Sequence, residues 1–216
     1  MQPGRIVEAL RAKGNASPQE VVIATRNPGK FREIKAILSS LPLKFLSLED
    51  FPDLPEVVED GATFAENAGK KARTIADLTD RPTIGDDSGL AVDALQGRPG
   101  VFSSRYAGEN ATDADRCQKL LEEMVSIPEG KRQARFVCVM AVALPHGRME
   151  VVEGECRGWI TSAPRGERGF GYDPIFFVPQ FGQTMAELEP EEKNRISHRA
   201  RALEKLKLIL PAFLSL

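Results

Sequence analysis

Val21-Val22-Ile23-Ala24-Thr25-Arg26-Asn27-Pro28-Gly29-Lys30 is the stretch that decides the fold class of this chain. Four apolar residues in a row read as a short strand buried on both faces. Asn27 suits a helix N-cap and Pro28 a first helical position. Phe31, Ile34, Leu38 and Leu41 then recur at helical spacing, so residues 28–39 read as a helix with one buried face. A buried strand that runs straight into an amphipathic helix is the opening unit of an α/β protein.

Outward from this unit, residues 43–48 read as a second strand and the proline- and acid-rich residues 51–60 as a loop. Thr63-Phe64-Ala65-Glu66 fits a capping box and opens a helix to about residue 78. Residues 82–85 and 90–95 read as two strands, with Asp86-Asp87-Ser88-Gly89 as an acidic turn between them. A glycine-punctuated loop (97–108) leads to a third helix (112–125) with Leu120, Leu121 and Met124 in its core face. Residues 134–144 and 149–160 are β-prone runs around Pro145-His146-Gly147, a hairpin signal. A glycine-rich loop (165–173), a short strand (175–178), a helical turn (190–194) and a last helix (198–210) with a Leu203, Leu206, Leu210 stripe complete the chain. Strand–helix alternation followed by a hairpin predicts an α/β fold with a mixed sheet.

The 216 residues are 42% apolar and 28% charged, ordinary globular composition that predicts one domain over residues 19–216. Residues 1–18 read as an N-terminal extension, with a short helix at 5–13. The net charge of −2 supplies no global field for nucleic acid or an anionic membrane, so neither is an expected partner. A polyanion must be met by a local cluster of cations. Cys117, Cys138 and Cys156 are odd in number and form no C-x-x-C pair, which reads as reduced packing residues in the cytoplasm. With His146 and His198 as the only histidines, a structural zinc site is not expected. No apolar run approaches the ~18 residues of a spanning helix, and no signal-peptide core is evident.

Five segments carry chemistry. Thr25 to Lys30 joins strand to helix, where free N–H groups and Lys30 favour a phosphate. It is not a Walker loop, which needs Gly at 24 and Ser or Thr at 31 in place of Ala24 and Phe31. A capped helix with an exposed lysine would read the same way. Asn67 and Lys71 share a helix face, as do Glu66 and Lys70, and Lys71 reaches a phosphate if that face lines a cleft rather than solvent. In Asp86-Asp87-Ser88-Gly89 adjacent side chains on an extended segment point to opposite sides. One acid can face a metal and a phosphorylated ligand while the other is held from behind. Phe170-Gly171-Tyr172-Asp173 sets two aromatics among glycines, suited to stacking on a base or to plugging the core. Lys193 and Ser197-His198-Arg199 offer donors suited to a carbonyl oxygen on a base edge.

Taken together, in this order, these segments resemble the inosine triphosphate pyrophosphatase family, also called Ham1-like, from about residue 21 to 210. A Maf-like pyrophosphatase shares the general architecture but lacks this order of five motifs. A nucleotide-binding protein without catalysis would have no need of Asp87, Lys30 and Lys71 together. The resemblance implies a long mixed central sheet flanked by helices, two lobes with a substrate cleft between them, and a homodimer. It implies Mg²⁺-dependent hydrolysis of inosine, deoxyinosine and xanthosine triphosphates to monophosphate and pyrophosphate. Carried over, Thr25, Arg26, Asn27, Pro28, Gly29 and Lys30 hold the triphosphate and Lys71 adds a phosphate contact. Asp87 is the general base and a metal ligand, and Ser88 a substrate contact. In the acidic loop before the Gly61-Ala62-Thr63 helix start, Glu59 is the candidate second metal ligand ahead of Glu56 and Asp60. Asp86 is a neighbour that positions backbone or metal-bound water. Phe170, Gly171, Tyr172 and Asp173 cover and read the base, beside Lys193, His198 and Arg199. Donors there reward the O6 acceptor of hypoxanthine and xanthine and are left unpaired by adenine.

Overall fold

The structure, a computed structural model, describes residues 18–216. The predicted helix at 5–13, and all of the extension before residue 18, lie outside the described residues. In chain order the elements are β1 (Gln19–Ala24), α1 (Pro28–Leu38), β2 (Leu43–Leu46), α2 (Phe64–Thr79), β3 (Thr83–Val92), α3 (Asp113–Glu123), β4 (Gln133–Ala143), β5 (Met149–Ile160), β6 (Phe176–Val178), β7 (Gln183–Thr184), α4 (Pro190–Ile196) and α5 (His198–Leu214). Seven strands form one sheet in the order β2-β1-β3-β4-β5-β6-β7. β1 pairs in parallel with β2 and β3, and every later pairing is antiparallel. The fold is therefore α/β with a mixed sheet, as the opening stretch predicts.

The hydrophobic pattern explains the layers. The buried stripe of α1 (Ile34, Leu38) and that of α5 (Leu203, Leu206, Leu210) pack on Val21, Ile23, Ile84, Met140 and Val142 of one sheet face. On the other face the small residues Ala68, Ala72 and Ala76 of α2 lie against Val137, Val139 and Ala141. Around α3, Leu120 and Met124 join Leu90, Val92, Phe136 and Phe176 in a separate core at the far end of β3 and β4. The predicted caps form: Asn27 accepts from the N–H groups of Gly29 and Lys30, and Thr63 and Glu66 close a reciprocal box.

One sequence reading is overturned. The two strands at 82–85 and 90–95, with an acidic turn between, are a single ten-residue strand, β3, paired with β4 from Thr83↔Ala143 to Val92↔Ala134. Asp86, Asp87, Ser88 and Gly89 have low intrinsic β preference, but this strand is central, and helices on both faces supply partners to the acids. Smaller revisions follow the same logic. The 97–108 loop contains a 3-10 turn at Gly100–Arg105, and the third helix ends at Glu123, with Thr112 as its N-cap.

Gly85 sets how closely α2 approaches the sheet. A Cβ there would lie 2.5 Å from the Ala68 carbonyl oxygen and 2.7 Å from the Ala72 nitrogen, both backbone atoms. Gly85→Ala is thus expected to cost about 1–3 kcal/mol in urea unfolding. Because Asn67 and Lys71 ride on α2, activity should fall with it; unchanged activity would detach α2 from the site. Gly154 has the same role under α5, where a Cβ would overlap backbone atoms of His198 and Ala202.

Candidate active site

The carboxyl half of β1, the middle of β3 and the first turns of α1, α2 and α5 converge on a cavity of about 320 Å³. Its lining includes Thr25, Arg26, Asn27 and Lys30, then Glu59, Lys71, Asp87 and Ser88, and Phe170 to Asp173 with Lys193, His198 and Arg199. The site residues expected from sequence are therefore brought together, with Pro28 and Gly29 in the turn beside Asn27.

The alternation of β3 separates its two acids. Asp87 points toward α2, where its Oδ2 accepts from Asn67 Nδ2 at 2.9 Å and its Oδ1 from the Ser88 N–H at 2.8 Å. Asn67 is itself fixed, since its Oδ1 accepts from the Gly61 N–H at 2.8 Å. Burial pushes the Asp87 carboxyl upward, with Glu59 acting in the same direction and Lys71 and Asn67 against it. Asp86 points the other way and is almost wholly enclosed. Lys30 Nζ lies 2.8 Å from its Oδ2 and Arg199 Nη2 4.0 Å away, yet neither oxygen has an aligned hydrogen bond. Burial alone would raise this carboxyl, but Lys30, Lys71 and Arg199 outweigh it and hold it at about 2. Asp86 is thus held among cations.

Lys71 is buried, not on a solvated face, and donates to Glu59 Oε1 at 2.5 Å. Burial opposes its charge, but Asp86, Glu59 and Asp87 prevail and raise it. Of the acids in the 51–60 loop, Glu59 faces Lys71, while Asp60 turns out to Lys70 at 2.6 Å. Lys70 therefore does not pair with Glu66, which caps its own helix. Arg26 reaches toward the Leu54 carbonyl oxygen at 3.5 Å, leaning over the same loop. The Gly29 and Lys30 N–H groups are already satisfied by Asn27 Oδ1, so the free charge this turn brings to the cavity wall is the Lys30 side chain, itself paired with Asp86.

The aromatic loop is resolved into distinct roles. Phe170 lies against Gly29, where a Cβ would meet its ring at 3.1 Å, and it has Lys193 Nζ 4.7 Å and Arg199 Cζ 5.4 Å from its centroid. Tyr172 is a core residue: its ring packs with Phe136 and Phe176, and its hydroxyl donates to the Ser103 carbonyl oxygen at 2.9 Å. Of the two readings open for Tyr172, its burial favours the core-plugging one, and Phe170 is the more open aromatic of the loop. Asp173 is buried and supports the loop from below, accepting from the Phe170 N–H at 3.0 Å and from Lys193 at 2.7 Å.

His198 stacks on Phe136 at 4.7 Å between centroids, and its Nδ1 is buried without a partner. Burial, helped by Arg199, Lys193 and Lys30, holds its pKa well below the ordinary 6.5, so the ring is neutral. The unfolded chain takes up this proton near pH 6.5 and the folded chain does not. Stability present above pH 6.5 should therefore fall as the pH drops below it, by up to about 1.4 kcal/mol per pH unit. Urea unfolding at pH 7.5, 6.5 and 5.5 measures this, and His198→Gln should flatten the slope. A variant with the parent's slope would place the proton uptake elsewhere.

Three residues of the site escape a reading of the sequence. Glu33, on α1, contacts Arg199 and, at 3.1 Å, Lys193. Asp113 and Arg116, on α3, pair with each other, and Asp113 Oδ2 accepts from the Gly171 N–H at 2.6 Å. All three look like ordinary helix-surface charges, and only their tertiary partners mark them.

A model of the Ham1 family matches residues 21–209. The dITP/XTP pyrophosphatase of Geobacillus kaustophilus is 57% identical over 188 residues, 87% of this chain and 92% of that protein. The dITP/XTP pyrophosphatase of Geobacter sulfurreducens is also 57% identical, over 187 residues, 87% of this chain and 94% of that protein. Among solved structures, a HAM1 protein from Coxiella burnetii superposes with a TM-score of 0.83 at 46% identity, covering 90% of this chain and 99% of its own. The Staphylococcus aureus Ham1 protein gives 0.81 at 41% identity, with 90% and 100% coverage. On the matched span, the identity and the shared sheet, this chain belongs to the Ham1 family.

Proposed function

We propose that this chain hydrolyses the triphosphates of deaminated purines (ITP, dITP and XTP) to the monophosphate and pyrophosphate. The observation that carries the reading is one cavity with an oriented acid, Asp87, between phosphate-binding cations and a pocket of aromatic and basic groups. Lys30 and Lys71 would meet the phosphate chain. Phe170 would stack on the purine, with Arg199, Lys193 and His198 toward its O6 edge. The names of the relatives above, dITP/XTP pyrophosphatase, support two of these substrates, dITP and XTP.

In this reading the Asp87 carboxylate takes the proton of the water that attacks the α-phosphorus. Its two anchored oxygens fix the direction of that transfer, and its burial makes it a stronger base than a surface aspartate. Cleavage between the α- and β-phosphates then needs alignment and charge neutralisation more than covalent help. Among the described residues no group of three or more His, Cys, Asp or Glu could cage a metal ion. Asp87 and Glu59 nevertheless both line the cavity, close enough for Glu59 to act on the Asp87 carboxyl, and one or two carboxylates completed by substrate phosphate oxygens are what Mg²⁺ takes. These two residues would hold it, and the ion would neutralise phosphate charge. Lys71, now on Glu59, would turn to the phosphates.

The separation of the core around α3 from that around α1 and α5 supports a single two-lobed domain over residues 19–216. No helix among the described residues is long and apolar enough to cross a membrane. We place the protein in the cytoplasm as a homodimer that clears deaminated purines before they enter DNA or RNA.

The test is hydrolysis of ITP, dITP, XTP, dGTP and dATP with Mg²⁺, with products identified. Pyrophosphate released from the first three at rates far above dATP is the expected result. Equal rates on all five would overturn base selection, and stepwise orthophosphate release would overturn the cleavage site. Light scattering of the purified protein tests the dimer.

A further inference from the structure

Glu33 stands behind the cavity, where no sequence feature singles it out. It is on α1, three residues beyond Lys30, and its side chain is only 16% exposed. Its two oxygens are divided between two helices: Oε2 accepts from Arg199 Nη1 on α5, and Oε1 lies 3.1 Å from Lys193 Nζ on α4. Arg199 and Lys193 line the cavity and Glu33 does not. Lys193 continues the chain of contacts to Asp173, which holds the Phe170 N–H. Arg199 continues it to Ser88 Oγ at 3.2 Å. Two cations beside one aromatic ring repel each other and have long, flexible stems. A single ionised carboxylate between them fixes both heads at once.

We propose that Glu33 is a positioning residue for base selection: its carboxylate fixes Lys193 and Arg199 around Phe170 and ties that base-facing pair to the helix that begins with the phosphate-facing turn. This rests on the reading that the Phe170–Arg199 end of the cavity holds the purine. Because O6 recognition needs donors already in place, loss of Glu33 should fall on the nucleotide that uses them. An adenine nucleotide, which does not, should be little affected. The charge of Glu33 matters as well as its shape. Burial opposes ionisation of Glu33, but Arg199 and Lys193 overcome it and keep its pKa lowered. Gln, which keeps the shape, would present an amide donor to one of the two cations.

The experiment compares Glu33→Asp, Glu33→Gln and Glu33→Ala with the parent, measuring kcat and KM for ITP and for ATP, together with thermal unfolding. The expected result is a fall of about 10- to 100-fold in the ITP-to-ATP ratio of kcat/KM for Gln and Ala. The fall should be carried mainly by KM for ITP, with kcat changing less than about threefold. Asp, which keeps the charge, should restore part of the ratio. Folded Gln and Ala variants with the parent's ratio would overturn the proposal. So would an equal loss on both nucleotides, or failure of all three variants to fold, since each marks a merely structural residue. A parent enzyme that does not itself prefer ITP would instead refute the functional reading. Equilibrium binding of IMP against AMP to the parent and to the Gln variant would then still decide whether Glu33 governs selection.

Discussion

Asp87→Asn is expected to lower turnover of ITP by about 10²–10⁴-fold, the range supplied by a positioned general base, while nucleotide affinity is largely kept. The expectation follows from the two hydrogen bonds that aim the carboxylate, one from Asn67 and one from its own neighbour's backbone. An amide at this position cannot take a proton from water, and it turns one acceptor into a donor facing a donor. Single-turnover hydrolysis separates the chemical step from product release, and titration with a non-hydrolysable ITP analogue reports affinity. Because Asp87 is also one of the two proposed metal ligands, the Mg²⁺ dependence of the variant should weaken as well. Turnover within tenfold of the parent would move the proton acceptor to another group.

Lys30→Met should have the largest effect on stability. It removes the cation closest to Asp86, whose carboxylate is 1% exposed, and breaking a buried pair from one side costs about 3–5 kcal/mol. Arg199 at 4.0 Å is left to compensate. In the parent, Asp86 is held at about 2. Its paired charge therefore contributes stability that is present above the unfolded value of 3.8 and lost as the pH falls through about 2. In the variant the carboxyl rises and takes a proton sooner. The gap between parent and variant should thus be widest near pH 7 and narrow steadily as the pH falls toward 3. Guanidinium unfolding across this range is the measurement, and a gap independent of pH would show that lost packing of the lysine stem, not the charge, is responsible. Loss of triphosphate affinity should accompany it.

The outer parts of this fold were legible because their residues state one local preference each. Val21 to Ala24, the Asn27-Pro28 start, the Thr63 to Glu66 box and the hairpin around His146 carry a period or a cap that tertiary structure keeps. β3 was misread for the opposite reason. Two acids, a serine and glycines look like a turn, and only the pairing with β4 and the distant partners Asn67 and Lys30 make a strand of them. The site follows the same rule. Lys30, Lys71, Asp87, Phe170 and Arg199 stand in recognisable segments. Glu33, Asp113 and Arg116 are hidden because a helix-surface charge becomes a site residue only through the element packed beside it. Tyr172 shows the limit in the other direction: the motif predicts an aromatic in the loop, and burial decides that this one belongs to the core.

Asp86 and Asp87 are chemically the same side chain, and what gives them different work is parity. A strand alternates faces with each residue, so the even-numbered acid meets Lys30 and Arg199 and the odd-numbered one meets Asn67. The long antiparallel ladder from Thr83 to Val92 counts the residues and fixes that parity. A single extra residue between Ile84 and Asp86, kept in regular alternation rather than absorbed as a bulge, would leave the composition of the site intact. It would still exchange the faces of the two acids, setting the strongly acidic, cation-bound position where the proton acceptor belongs. In this protein the registry of one strand is thus as much a part of the chemistry as any side chain on it.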